Sequence, residues 1–159
     1  MQARLDYKAV DPEAVRALLG LEKYLAKSGL ERRLGLLVVL RASQVNGCAY
    51  CIDMHTKDLR AEGETEQRLY LLDAWREAPF YTDRERAALA WTEAVTRLTE
   101  REVPDEIYEQ ARRVFSEKEL VSLTMAVVAI NGWNRMNIAF RTVAGSYQPQ
   151  AAHHSGAQP

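Results

Sequence analysis

Apolar residues recur along this chain every three or four positions, and the stretches they form are bounded by residues that start or stop helices. Asp11-Pro12 joins an N-cap to a proline at the first helical position. Thr82-x-x-Glu85 is a capping box, and a second such box begins at Ser116. No stretch of the sequence shows the sustained alternation of a strand. The pattern therefore predicts an all-α fold.

The predicted helices number about seven and are joined by short turns. They cover about residues 12–28, 31–45, 48–62, 65–75, 82–98, 104–115 and 116–144. A chain of 159 residues suits a single domain, which we expect to span residues 1–145. Residues 146–159 hold almost no large apolar side chain and are predicted to form a flexible tail. His153 and His154 lie in this tail and are interpreted as solvated rather than as metal ligands.

Charge and hydropathy exclude several classes of protein. The formal net charge is −1, so no net positive field draws in nucleic acid. The longest apolar run, seven residues from Leu34 to Leu40, is far short of the roughly 20 that a membrane helix needs. The first residues, MQARLDYKAV, lack the apolar segment of a secretory signal. We therefore expect a cytoplasmic protein with neither a nucleic-acid nor a membrane partner.

The two cysteines of the chain lie in one short segment, NGCAYCIDMHTK, together with a histidine. Cys48, Cys51 and His55 occupy positions i, i+3 and i+7, which share one stripe of a helix. The cysteines are then close enough for a disulfide across one turn, and Cys51 and His55 can touch. A helix N-terminus favours a thiolate at Cys48, while an adjacent imidazole favours one at Cys51. The spacing indicates a redox pair in which one cysteine attacks an oxidant and the other closes a disulfide.

Three other interpretations of this segment stay open. The cysteines are inert, buried apolar residues in the first. In the second they bind zinc, but zinc needs four ligands and only His55 lies nearby. In the third, His55 is an ordinary satisfied histidine and the cysteines alone are reactive. The sequence holds no Gly-rich phosphate loop, and we predict no metal, flavin or nucleotide cofactor.

The segment RASQVNGCAYCIDMHT, residues 41–56, resembles the core of the carboxymuconolactone decarboxylase family in its alkylhydroperoxidase AhpD-like branch. Weaker similarity extends through ERAALAWTEAVT and AINGWNRMNIAFR. The resemblance implies an all-helical fold and a trimer or hexamer. It also implies reduction of a hydroperoxide substrate, with Cys51 attacking, Cys48 resolving, His55 relaying protons and a dithiol protein as reductant. The helix dipole alone favours Cys48 as the attacking residue.

The chain departs from the branch at one position. The relay of the branch includes a glutamate twelve residues before the first cysteine, and this chain has Leu36 there. We predict that Glu93, on a helix with an alanine-rich face, approaches His55 instead; the alternative is a surface ion pair with Arg97. The missing carboxylate also keeps a second function open, a redox-responsive structural or sensing protein without turnover.

Other polar residues lie near the same site in the sequence or on the last helix. Asp53 and Asp58 are predicted to point away from the cysteine–histidine stripe into solvent. A polar cluster in the last helix must find hydrogen bonds, and we expect it to line a pocket or a subunit contact. Its members are Asn131, Trp133, Asn134 and Asn137.

Overall fold

The computed structural model describes residues 2–98 and 102–149, and within these ranges it consists of helices without strands. The all-α prediction is confirmed. The helices are α1 Tyr7–Val10, α2 Pro12–Leu25, α3 Arg32–Asn46, α4 Ala49–Ala61, α5 Glu66–Tyr70, α6 Asp83–Thr96, α7 Asp105–Val114 and α8 Glu117–Phe140. The predicted tail begins within the described part, whereas His153 and His154 lie outside it.

Helix α3 is the central element of the fold, because α4, α6 and α8 all pack against it. Its side chains Leu37, Val38 and Leu40 are buried almost completely. Each such side chain stabilises the fold by roughly 1.5–3 kcal/mol relative to leaving it in water. Helix α2 packs on α8 and α1 and has no buried residue of its own.

The cap signals in the sequence act as predicted. The Asp11 carboxylate accepts the backbone N–H groups of Glu13 and Ala14 at the start of α2. Capping boxes open α6 and α8, with Thr82 and Ser116 as N-caps. These bonds satisfy N–H groups that have no partner within their helices.

Three elements differ from the prediction. The one-turn helix α1 is additional, and the Asp6 carboxylate caps it. Helix α5 ends at Tyr70 rather than near residue 75, and the guanidinium of Arg86 donates to three carbonyls of the loop that follows, those of Trp75, Arg76 and Ala78. Helix α8 ends at Phe140, not near residue 144, because Arg141 adopts a left-handed conformation with φ 54°.

Candidate functional site

The turn between α3 and α4 positions both cysteines. Gly47 adopts a left-handed conformation, φ 68°, which ends α3 where the sequence predicted a break. The backbone N–H of Cys48 then donates to the carbonyl of Ser43 at 3.0 Å, and Cys48 becomes the N-cap of α4. Cys51 follows in the first turn of α4. Both cysteines therefore lie at a helix N-terminus, where the macrodipole favours a thiolate.

The two cysteines are joined by a disulfide, with their Cα atoms 5.4 Å apart. Both are buried, with 1% of Cys48 and none of Cys51 exposed. The amide nitrogen of Asn137, on α8, lies 3.4 Å from the sulfur of Cys51. The carbonyl oxygen of the same amide accepts a bond of 3.1 Å from the hydroxyl of Tyr7. A chain of hydrogen bonds thus leads from Tyr7 of α1 through Asn137 of α8 to the Cys51 sulfur of α4.

His55 lies one turn after Cys51 on α4. Its two ring nitrogens are buried and have no hydrogen-bond partner in the described part of the chain. The nearest carboxylate is that of Asp58, whose Oδ2 lies 3.6 Å from Nδ1 of the imidazole. An imidazole without fixed partners is free to accept or donate a proton at either nitrogen.

Asp58 is held in place from the other side. The hydroxyl of Tyr147 donates to its Oδ1 at 2.6 Å. Burial raises the pKa of this carboxyl, but interactions with His55 and Tyr147 outweigh it and leave the pKa below its usual value. The prediction that Asp58 points into solvent is therefore wrong. Asp53 is also engaged, because Lys57 and the backbone N–H of Gly145 donate to its Oδ2.

A cleft of about 670 Å³ opens beside the imidazole of His55. Its walls come mainly from α2, α3, α4 and α8, and most of them are apolar. Leu36, at the position that differs from the AhpD-like pattern, is part of the wall together with Tyr50 and Asn137. Other apolar lining residues are Val15, Leu19, Leu25, Leu30, Val39, Met54 and Ile130.

Comparison with known proteins agrees with this arrangement. The sequence model of the carboxymuconolactone decarboxylase family matches residues 12–94, which include the cysteine pair and the histidine. The chain belongs to the carboxymuconolactone decarboxylase family.

Two known proteins are similar to this chain over nearly its whole length. The uncharacterized protein YdfG of Bacillus subtilis is 43% identical, over 92% of this chain and 99% of its own length. A protein of unknown function from Agrobacterium tumefaciens, named as a candidate antioxidant defence protein AhpD, is 45% identical. Its crystal structure superposes with a TM-score of 0.88, covering 92% of this chain and 100% of that one. The resemblance to the AhpD-like branch is thereby confirmed.

A more distant structure shares the fold alone. The AhpD core of an uncharacterized peroxidase-related protein from Ralstonia eutropha is 21% identical and has a TM-score of 0.77. The similarity covers 88% of this chain and 75% of that one.

Glu93 does not take the place of the glutamate that the AhpD-like pattern has at the position of Leu36. It is buried, 3% exposed, but its carboxylate accepts bonds from Arg41 at 2.8 Å, Trp75 at 2.7 Å and Arg76 at 2.7 Å. The predicted contact with His55 is wrong, since both nitrogens of that ring lack a partner. The alanine-rich face of α6 packs on α3, and the guanidinium of Arg41 on α3 contacts the carboxylate of Glu93.

The same bonds explain the charge state of Glu93. Burial raises the pKa of this carboxyl, but the bonds from Trp75, Arg76 and Arg41 outweigh it and lower the pKa. The alternative partner, Arg97, lies 3.7 Å away and adds to the same cluster. Glu93 therefore links α6 to α3 and does not contact the imidazole.

The residues of the polar cluster on α8 make different contacts. Asn131 and Asn134 both accept bonds from the side-chain amide of Asn46, at 3.0 and 2.8 Å. These bonds connect α8 to the residue that precedes Gly47 and so stabilise the turn between α3 and α4. Asn137, one turn later, is the member that reaches Cys51. Trp133 lines the cleft.

Two residues of the site, Asp58 and Tyr7, were missed from the sequence. Asp58 is seven residues after Cys51, so both lie on the same face of the helix. This spacing could have predicted that Asp58 belongs to the site. Tyr7 carries no local signal, because the residues of α8 that it contacts, Asn137 and Phe140, are distant from it in the sequence.

Neither a metal cluster nor a membrane span is found among the described residues. No three His, Cys, Asp or Glu side chains are grouped there as metal ligands would be. None of the helices there is both long enough and apolar enough to span a bilayer.

Proposed function

We propose that this protein is a thiol-dependent peroxidase that reduces organic hydroperoxides through Cys48 and Cys51. One observation carries the proposal: a cysteine pair one helical turn apart lies beside an imidazole whose nitrogens are both unpaired. A purely structural disulfide does not require an imidazole beside it, and an ordinary core histidine does not require a cysteine pair. Buried imidazole nitrogens without a hydrogen-bond partner are costly, and such groups are typical of sites that handle protons.

The proposed reaction uses three residues, Cys51, His55 and Cys48. In the reduced protein, His55 takes the proton of Cys51, and the thiolate attacks one oxygen of the hydroperoxide. The S–O bond forms as the O–O bond breaks, and the leaving alkoxide takes the proton back from His55 to become an alcohol. Cys48 then attacks the sulfenic acid of Cys51, which releases water and closes the disulfide. One hydroperoxide is consumed and two thiols are oxidised.

Asp58 is the carboxylate that we assign to His55. It lies 3.6 Å from Nδ1, and its charged form is favoured by Tyr147 and by the imidazole itself. A carboxylate at this distance stabilises the imidazolium that forms when Cys51 is deprotonated. Asp58 would thus replace the glutamate whose position is held by Leu36.

The cleft favours an organic hydroperoxide over hydrogen peroxide. A volume of about 670 Å³ falls within the range of small-molecule sites, roughly 300–1,000 Å³. Its apolar walls, formed by residues such as Leu19, Leu36 and Met54, would contact an alkyl or aryl group. Binding of that group then supplies affinity that the peroxide group alone lacks.

The oxidised pair must be reduced again for turnover. A dithiol protein would attack the disulfide, form a mixed disulfide and leave both cysteines as thiols. Such a cycle suits a reducing compartment, and we expect the protein in the cytoplasm. We further propose a homo-oligomer, a trimer or hexamer, as the family resemblance implies.

A second function is favoured by one observation, the burial of both sulfur atoms. A reductant protein cannot reach a fully buried disulfide without a local opening of the fold. Without such an opening, the disulfide would report oxidant as a redox-responsive or sensing element and would not turn over.

A turnover assay separates the two functions. Cumene hydroperoxide is mixed with the protein and an excess of dithiothreitol or of a thioredoxin with its reductase, and loss of the peroxide is followed. We expect many equivalents of peroxide to be consumed for each protein chain. The variant Cys51→Ser is the control and should stop turnover, because it removes the attacking sulfur. Consumption that ends at one equivalent per chain would support the sensing function instead.

A further inference from the structure

The amide of Asn137 is oriented without ambiguity by its neighbours. One of its side-chain atoms lies 3.0 Å from the backbone carbonyl oxygen of Trp133, which can only accept. That atom must therefore be the nitrogen, and the nitrogen is also the atom 3.4 Å from the sulfur of Cys51. The amide oxygen then faces the hydroxyl of Tyr7, which donates to it at 3.1 Å. In this chain of hydrogen bonds, each donor therefore faces an acceptor.

We propose that Asn137 is a catalytic residue that donates a hydrogen bond to the Cys51 thiolate, and that Tyr7 positions its amide. The proposal rests on the peroxidase function, in which Cys51 is the attacking cysteine. A bond from N–H to a charged sulfur stabilises the thiolate more than the neutral thiol, so Asn137 makes Cys51 the more acidic of the pair.

The two cysteines differ in this respect. In the described part of the chain, no side chain donates to the sulfur of Cys48, which serves as the N-cap of α4 without a side-chain bond. Both sulfurs lie at the N-terminus of α4, so the helix dipole, which alone favours Cys48, also acts on Cys51. The bond from Asn137 supplies the difference that the sequence alone left open.

The charged groups on neighbouring helices are engaged elsewhere. On α3, which packs against α4, the cations Arg32, Arg33 and Arg41 each pair with a glutamate. On α8, Arg135 donates to the carbonyl and side chain of Asn131. The titratable groups that remain near the site are His55 with its neighbour Asp58, Tyr7, and, in the cleft wall, Tyr50, Lys8 and Glu22.

Tyr7 is suited to a positioning role. Its ring packs beside that of Phe140, with the centroids 5.5 Å apart, which fixes the hydroxyl over α8. Burial, followed by the charges of Tyr50 and Asp6, raises the pKa of Tyr7. The hydroxyl therefore stays protonated and remains a donor to Asn137 over the pH range in which a thiolate forms.

The experiment measures the pKa of each cysteine from the pH dependence of its alkylation by iodoacetamide, with no peroxide present. In a Cys48→Ala background, Asn137→Ala should raise the pKa of Cys51 by about one unit or more, since a hydrogen bond to a charged group is lost. Its thiolate fraction below that pKa should fall about tenfold or more.

Three further measurements keep the test decisive. In a Cys51→Ala background, Asn137→Ala should leave the pKa of Cys48 unchanged; an equal rise there would overturn the proposal, because the effect would not act through the bond. Tyr7→Phe keeps the ring and should also raise the pKa of Cys51, by less than Asn137→Ala does. Tyr24→Phe removes a hydroxyl that bonds to Ser122 on the far part of α8 and should change nothing.

The outcomes separate this proposal from the proposed function. An unchanged pKa of Cys51 in Asn137→Ala overturns the role of Asn137, even if the protein reduces peroxides. If Asn137→Ala does not fold, Tyr7→Phe decides, and an unchanged pKa there overturns the proposal. A raised pKa supports it, including in a protein that shows no peroxide turnover.

Discussion

At the residue scale, the site combines side chains that sequence spacing could place with others that it could not. Cys48, Cys51 and His55 were predictable, because positions i, i+3 and i+7 share a helical face whatever surrounds the helix. The partner of Glu93 was not predictable, since Arg41 lies 52 residues away and is brought close by the packing of α6 on α3. A helical wheel shows which face a residue occupies, but not which helix covers it.

The role assigned to Asp58 gives the first prediction at this scale. Asp58→Asn keeps an oxygen for the Tyr147 hydroxyl but removes the negative charge beside His55. We expect disulfide formation by organic hydroperoxide to slow by about tenfold or more, because the imidazolium loses its counter-charge. Stopped-flow measurement of the reduced protein checks this.

Asp53→Asn is the matched control for Asp58→Asn. It removes a carboxylate from the same helix whose partners are Lys57 and Gly145, so the rate should stay near that of the parent. Equal rates for Asp58→Asn and the parent would show that the carboxylate does not serve His55.

Glu93 gives the second prediction, which concerns stability. Glu93→Gln removes the buried charged partner of the Arg41 guanidinium, and loss of one partner of a buried pair destabilises by roughly 3–5 kcal/mol. Arg41 retains Asp73 as a more exposed partner, so we expect the lower end of that range. Urea unfolding measures the effect, and a loss below about 1 kcal/mol would contradict the structural role.

The lowered pKa of Glu93 adds a pH dependence with a defined sign. The folded state holds this carboxyl charged below the ordinary value of 4.5, so the unfolded state binds more protons there. The stabilisation is complete above pH 4.5 and is lost as the pH falls through the pKa of the folded state. In Glu93→Gln, the free energy of unfolding should therefore depend less on pH in this acid range than it does in the parent.

At the scale of elements, the turn between α3 and α4 sets the position of both sulfurs. Its glycine was recognisable from Asn46-Gly47, because both residue types tolerate left-handed backbone angles. The ends of α5 and α8 were not recognisable. A side chain from another element, Arg86, holds the loop after α5, and Arg141 ends α8 in a conformation that glycine usually takes.

The turn gives a prediction with a matched control. Gly47 has φ 68° and open space where a Cβ atom would lie, so Gly47→Ala meets backbone strain without a steric clash. We expect a loss of about 1–2 kcal/mol in the free energy of unfolding. Gly20→Ala, in the middle of α2 and also in open space, should instead stabilise by roughly 0.5–1 kcal/mol. A Gly47→Ala variant as stable as the parent would contradict the left-handed turn.

At the scale of the whole molecule, α8 exposes apolar side chains that suit a subunit contact. Val121 and Val128 are seven residues apart on one face of α8 and are 59% and 47% exposed. The sequence of α8 is apolar on nearly every face, which requires the helix to be either buried in one domain or shared with neighbours. In this chain the helix is buried along most of its length, while this face remains open.

Light scattering during size-exclusion chromatography tests the assembly. We expect a mass of three or six times 18.1 kDa, and a mass near 18.1 kDa at micromolar concentration would exclude the oligomer. Val128→Glu should lower the mass if this face forms the contact, because it places a charge in an apolar interface. Val10→Glu, at an exposed position of α1, serves as the control and should leave the mass unchanged.

The central claim, that Cys48 and Cys51 together reduce an organic hydroperoxide, is tested most directly by the stoichiometry of a single turnover. Fully reduced protein receives one equivalent of cumene hydroperoxide, and the alcohol formed and the thiols lost are counted in the same sample. We predict one alcohol formed for every two thiols lost, with the chain still monomeric on a denaturing, non-reducing gel. Two thiols that persist beside unreacted hydroperoxide, or disulfide-linked dimers, would contradict the account.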